Sequence, residues 1–186
     1  MDIYEFVKFL HVASAIVWVG GGFAFIVLAT VAQRQNNNDD YVRIVRYVVY
    51  LSPRFFIPAS LAALVFGVVA AWIEWSFADL WIDLGIAGWF STFVTGNFLI
   101  RPRAEKIEAT VARTGVTDQA VAIGRQLLNI ARFDFLVLFV IVANMVIKPT
   151  LADWIVLLVM AAVIVAGAFL FIMPAVREAA EPAVVA

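Results

Sequence analysis

Cysteine is missing from this chain of 186 residues. Its absence excludes disulfides, thiolate nucleophiles and cysteine-ligated metal sites together. Histidine occurs once, as His11, so neither a multi-histidine metal site nor a bis-histidine haem can form within one chain. Charge is scarce. Asp, Glu, Lys and Arg make up 15% of the residues, against about a quarter in an ordinary soluble domain. The net charge of −1 leaves no basic footprint for a nucleic acid. No P-loop and no dinucleotide-binding glycine motif is present, and Gly20-Gly21-Gly22 lies inside an apolar run where it cannot cradle a phosphate. No Ser-His-Asp set stands in a convincing context.

What fills the sequence is apolar. Hydrophobic residues are 65% of the chain, and a water-soluble fold of this length cannot hide so much apolar surface in one core. The remaining solvent is lipid. The first apolar run follows Asp2 and Glu5 and extends over Phe9–Gln33. A cleaved signal peptide opens with basic residues and has a shorter apolar core, so this run is expected to be a retained helix.

A membrane-spanning helix takes about 20 mostly apolar residues. Five uncharged runs are candidates: Phe9–Gln33, Phe55–Ile73, Leu84–Ile100, Phe135–Ile147 and Trp154–Val176. The fourth has 13 residues and reaches spanning length only with Arg132 and Asp134 included, the arginine snorkelling toward the headgroups. The expected fold is therefore an all-α integral membrane bundle of five transmembrane helices. It forms a single transmembrane domain over residues 1–176, with spans at about 5–33, 54–74, 80–101, 131–148 and 152–175 and a cytoplasmic tail at 177–186.

Basic residues orient the bundle. The first-to-second connection carries Arg34, Arg43, Arg46 and Arg54, and the third-to-fourth carries Arg101, Arg103, Lys106, Arg113, Arg125 and Arg132. The second-to-third connection has only Glu74 and Asp79, and the fourth-to-fifth has Lys148. The positive-inside rule then puts the N-terminus outside and the C-terminus, with Arg177, inside. This alternation also supports the short fourth span. The expected location is the bacterial cytoplasmic membrane, with the lipid bilayer as the first partner.

Local signals agree with these ends. Ser76-Phe77-Ala78-Asp79 and Thr150-Leu151-Ala152-Asp153 read as capping boxes just before the third and fifth spans. Trp72, Trp75, Trp81 and Trp154 cluster near these outer turns as an interfacial belt. On the inner side, Tyr41–Ser52 puts Arg43, Arg46, Tyr47 and Tyr50 on one helical face and Val42, Val45, Val48 and Val49 on the other. This amphipathic helix leads into the second span through Ser52-Pro53, and Asp118–Arg132 leads into the fourth span in the same way. The two stretches resemble each other, as a duplicated hairpin with the fifth span appended would. Gly88, Thr92 and Gly96 form a small-residue stripe suited to helix packing, and Pro58 implies a bend in the second span.

Ionisable groups at membrane depth are costly and usually face a bundle interior. His11 sits about 12 Å into the first span, with Lys8 one turn outward and Ala15 and Trp18 continuing its face. Asp83 enters the third span from the same side, and Asn144, Met145 and Lys148 end the fourth there. By depth, Lys8, His11, Trp18, Asp83 and Met145 can converge on one outward-facing site. His11 there is either a ligand, to haem iron or to copper, or a neutral histidine bonded to Ser14, Asp83 or a carbonyl. As a haem ligand it would be completed by Met145, Lys8, an open position or a second subunit. On the inner side, Arg101 or Arg132 is expected to pair with Asp134.

Several segments carry a resemblance. FLHVASAIVWVGGGF at Phe9–Phe23, the stretch from WSFADLW at Trp75–Trp81 through RPRAEK at Arg101–Lys106, and RFDFLVLFVIVANMVIKP at Arg132–Pro149 resemble an integral-membrane family called domain of unknown function 2269. The first segment is also similar to copper-resistance D-type membrane proteins and to small membrane protoporphyrinogen oxidases. The latter resemblance implies haem b bound through a first-helix histidine, for which His11 is the matching position. The chain lacks the oxidases' later histidines and the methionine-rich features that copper handling favours. The leading expectation is a haem-b-binding or redox-linked membrane protein. The alternatives are a non-enzymatic subunit or scaffold, packing as a homodimer or against a membrane-protein partner, and a small metal-ion transporter using Lys8, Asp83 and Asp134.

Overall fold

The computed structural model describes residues 2–180, without the side chains from 177 onward. The expected tail at 177–186 thus lies outside the described residues, apart from backbone to Ala180. Eight α-helices follow one another: α1 (Ile3–Arg34), α2 (Asn38–Leu51), α3 (Ile57–Glu74), α4 (Leu80–Val94), α5 (Arg101–Thr114), α6 (Asp118–Ile147), α7 (Trp154–Gly167) and α8 (Met173–Ala180). Three single π-helical turns, Ser52–Phe56, Thr95–Ile100 and Ala168–Ile172, join α2 to α3, α4 to α5 and α7 to α8 without a break.

The π turns share one cause. Each ends two residues before a proline: Pro58, Pro102 and Pro174. Proline has no N–H to give and its ring collides with the carbonyl four residues back. The helix relieves the collision by widening just upstream. Ile57 N–H bonds the Ser52 carbonyl, Arg101 that of Gly96 and Met173 that of Ala168, each five residues back. The bend expected at Pro58 is this widening.

Among the described residues, four helices are long and apolar enough to cross a membrane: Ile3–Arg34, Asn38–Glu74, Asp118–Ile147 and Trp154–Val176. The short fourth run of the sequence is thus part of a 30-residue helix. The segment Leu80–Ile100 has the length of a span, about 31 Å. It is diluted by Asp83, Ser91, Thr92, Thr95 and Asn97 and falls outside those four. Burial explains part of the dilution: α4 packs along α6 and Thr92 and Thr95 are buried, while Asp83 and Ser91 are exposed. By contrast α7 buries only Gly167 and exposes Ile155, Leu158, Val159 and Val165. A face this apolar and continuous requires lipid against it.

Neighbouring helices alternate in direction. The tightest pairing is α1 with α3, followed by α4 with α6. Gly21 faces Phe55 and Phe56 of the π turn that leads into α3, and Gly88 faces Ile141 across the second pair. α1 with α3 and α4 with α6 thus form two helical hairpins. They join at the arginine-rich end, where Phe23 stacks on Phe135 with centroids 5.4 Å apart and Arg132 donates to Thr30 Oγ1 at 2.9 Å. Part of the small-residue stripe is consumed inside the chain: Gly88 faces Ile141 and Thr92 is buried, while a Cβ on Gly96 would meet nothing within 4 Å.

The arginine-rich end carries a packed cap. Spacing of three and four residues brings Tyr41, Val42 and Val45 of α2, Ala104 and Ile107 of α5, and Ile123, Leu127 and Leu128 of α6 onto Ala29 and Ala32 of α1. Arg43, Arg46, Tyr47 and Tyr50 face outward, as the amphipathic pattern requires. Tyr41 donates from its hydroxyl to the Gly124 carbonyl, and a Cβ at Gly124 would collide with the tyrosine ring. The helix α5 is an addition to what the sequence pattern revealed, because the apolar positions it packs into the cap are Ala104, Ile107 and Val111, set among charged residues.

The outer turns form with a changed geometry. Asp79 and Asp153, not Ser76 and Thr150, are the N-caps of α4 and α7. Each carboxylate reaches back, Asp79 to the Ser76 amide at 3.1 Å and Asp153 to the Thr150 amide and hydroxyl at 2.8 Å each. The hydroxyls leave the third helical amides alone because they stand three residues before the cap. The inner ion pair to Asp134 does not form: Arg101 pairs with Glu105 at 2.7 Å, and Arg132 is taken by Thr30, Gln33 and Asn129.

Candidate functional site

Joined at the arginine-rich end, the hairpins part toward the tryptophan-rich end and leave a cavity of 660 Å³ between α1, α3, α4 and α6. Small-molecule sites occupy about 300–1,000 Å³. The walls are apolar, with Ala15, Leu64, Val68, Trp89 and Ile141 among them, and His11, Lys8, Trp18 and Met145 line the same space. Four of the five residues expected to converge thus do so. Asp83 does not: it is exposed and lies outside the lining. Depth along a helix does not give rotation. Gly85, two residues on, takes the inward face and Asp83 turns out.

His11 is held by the opposite helix. Its Nδ1 lies 2.7 Å from the Ala63 carbonyl of α3. A carbonyl only accepts, so Nδ1 carries a proton and donates, which orients the ring and leaves Nε2 as the nitrogen outside this bond. No hydrogen bond engages Nε2 among the described residues. Room for the ring comes from Gly67, where a Cβ would stand 2.8 Å from His11 Nδ1 and 2.9 Å from Cε1. Ser14 and Asp83 play no part in holding the ring. Met145 is accommodated in the same manner, since a Cβ on Gly85 would collide with its terminal methyl.

The mouth of the cavity is aromatic and basic. Trp75 Nε1 donates to the Tyr4 hydroxyl at 3.1 Å, and Trp75 and Trp81 meet edge to face at 5.2 Å. Lys148 ends α6 in the left-handed conformation, φ 51°. Its ammonium lies 3.7 Å from the Trp75 ring centroid and 5.2 Å from that of Trp81. Lys8 stands over Tyr4 at 4.8 Å. One turn before Lys148, buried Asn144 donates to the Trp81 carbonyl at 2.6 Å, tying α6 to the start of α4.

The family described as predicted integral membrane protein (DUF2269) matches residues 5–149. The chain belongs to this family. No curated protein and no solved structure matches it. The DUF2269 region covers both hairpins from residue 5 on and every cavity residue named above except Tyr4, and leaves α7 and α8 outside.

Sequence reasoning missed Ala63, Gly67 and Gly85, the residues that shape the site. A signal for Gly67 was present. It lies seven residues from the end of α3, as His11 lies eight from the start of α1, so antiparallel pairing puts them at one level. A site for a bare metal ion has less to stand on. Among the described residues, no group of three or more His, Asp or Glu could hold one.

Proposed function

We propose that this DUF2269 protein binds haem b in the cavity between its hairpins, with His11 as the iron ligand through Nε2, and serves a redox-linked role in the bacterial cytoplasmic membrane. The observation that carries the reading is the pinning of His11 Nδ1 on the Ala63 carbonyl at 2.7 Å. Metal-bound histidines almost always donate their other ring N–H to a carbonyl or carboxylate, which orients the ring and raises the basicity of the ligating nitrogen. Haem asks one side-chain ligand of the protein where a bare ion asks three or four, and this chain has one histidine. The macrocycle is apolar and its propionates are anionic. The walls at Ala15, Leu64, Val68 and Ile141 suit the first, and Lys8 and Lys148 at the mouth suit the second. Met145 lines the same cavity and would be a candidate second ligand. Haem so held supplies one-electron chemistry; the chain's own part is to ligate, orient and exclude water.

The test is spectroscopic. Protein purified from cells supplied with haem should show a Soret band that His11→Ala loses while the variant stays folded. Absence of the band, or a band unchanged in His11→Ala, refutes the reading. In Met145→Leu the band should persist, with its position or redox potential shifted if Met145 is the second ligand.

A further inference from the structure

A second cavity, of 320 Å³, lies below the first, enclosed by α1, α2, α5 and α6 at the arginine-rich end. Its volume is enough for on the order of ten waters at about 30 Å³ each. Its walls are mostly apolar, and its titratable lining groups are Tyr41 from α2, Arg101 and Glu105 from α5, and Asp134 from α6. The lining residues of α1 and of the π turns at Ser52–Phe56 and Thr95–Ile100 are uncharged. Arg101 and Glu105 bond each other at 2.7 Å and are about half exposed, so they mark the end open to water. Arg132, two residues from Asp134, points to α1. Asp134 is thus left without an ionic partner among the described residues, and its Oδ1 is buried with no hydrogen bond.

The two cavities share two wall residues, Trp18 and Leu138. Leu138 stands one helical turn beyond Asp134 on the same face of α6, and Trp18 one turn beyond Gly22 on α1. Asp134 therefore sits at the deep end of the lower cavity, directly beneath the partition. An unpartnered carboxylate at this depth is costly unless water and a proton meet it. Intramembrane carboxyls so placed mark proton paths.

We infer that the lower cavity is a water-filled vestibule through which Asp134 exchanges a proton with the arginine-rich side, one helical turn short of the His11 cavity. The proton comes from water, binds a carboxylate oxygen and returns by the same route; no electron moves. The inference stands on the Asp134 cavity alone and does not need haem.

The absence of cysteine makes the test clean. Asp134→Cys and Gly96→Cys both place a thiol on this vestibule, and the second is sterically free, since a Cβ there meets nothing within 4 Å. Ala15→Cys places one in the upper cavity. In oriented membrane vesicles, a membrane-impermeant maleimide should label the first two only from the arginine-rich side, at a rate of the same order as Arg43→Cys. It should label Ala15→Cys only from the other side. In the otherwise unchanged protein, infrared difference spectra across a pH step should show a protonated-carboxyl band that Asp134→Asn loses and Asp134→Glu restores at a shifted position. Vestibule thiols that resist labelling, thiols labelled from the tryptophan-rich side, a carboxyl band unchanged in Asp134→Asn, or a band that follows sodium rather than pH would each overturn the inference. Loss of haem binding in these variants has no bearing on it.

Discussion

Gly67→Ala separates ligation from folding. The added Cβ would stand 2.8 Å from His11 Nδ1 and 2.9 Å from Cε1, closer than real Cβ contacts come, and α3 is held too firmly by α1 to retreat. The imidazole must swing, and its bond to the Ala63 carbonyl, 2.7 Å in the native arrangement, is lost. A hydrogen bond of this kind contributes a net of about 0.5–1.5 kcal/mol. Against that, alanine is about 1 kcal/mol better than glycine inside a helix. The two nearly cancel, so the thermal midpoint in detergent should move little. Ligand affinity should not be spared: loss of the partner that orients a metal-bound histidine typically costs about 10–100-fold, or roughly 1.4–2.8 kcal/mol. Haem titration followed by absorbance, beside a melting curve, reads both quantities. Gly20→Ala is the control, because Gly20 lines the same cavity and a Cβ there meets nothing within 4 Å. Wild-type haem affinity in Gly67→Ala, or equal losses in the two variants, would refute the argument. So would wholesale unfolding of Gly67→Ala, since the contact would then serve the fold rather than the ligand.

Two further predictions concern packing. In Gly88→Ala the new Cβ would lie 2.5 Å from Ile141 Cγ1; isoleucine is stiff at χ1, so α4 must move off α6 at a cost of about 1–3 kcal/mol, and adding Ile141→Ala should recover much of it in a double-mutant cycle. Ile107 has no exposed surface, so Ile107→Ala should destabilise the arginine-rich cap by about 2–5 kcal/mol, seen as faster proteolysis between α5 and α6 with the haem spectrum of the surviving protein unchanged.

Much of this protein is readable from one dimension. Hydropathy and charge alternation depend on composition along the chain, because lipid forces each span to satisfy its own backbone. They identify the membrane bundle, the amphipathic entry to α3 and the depth of His11 without knowledge of any contact. The segment Phe135–Ile147 looked short because Arg132 and Asp134 interrupt its apolar run, yet both charges are absorbed within the bundle, the arginine by α1 and the aspartate by a cavity. Leu80–Ile100 is diluted in part for the complementary reason, since the buried positions at Thr92 and Thr95 need not be greasy.

Rotation and register belong to the tertiary structure. Asp83 and Met145 have equal claims on the site by depth, and side-chain packing alone sends one outward and the other in. The same holds for Gly67, an unremarkable small residue until antiparallel pairing puts it beside His11, and for Arg132, whose partner turned out to be Thr30 rather than the nearby Asp134. The sequence by itself determined that the chain lives in lipid and at what depth its polar groups lie, because those follow from transfer free energies residue by residue. Which of those groups meet was decided only when the two hairpins closed at one end and parted at the other, because contacts between helices depend on the angle each presents to its neighbour, and hydropathy carries no angle.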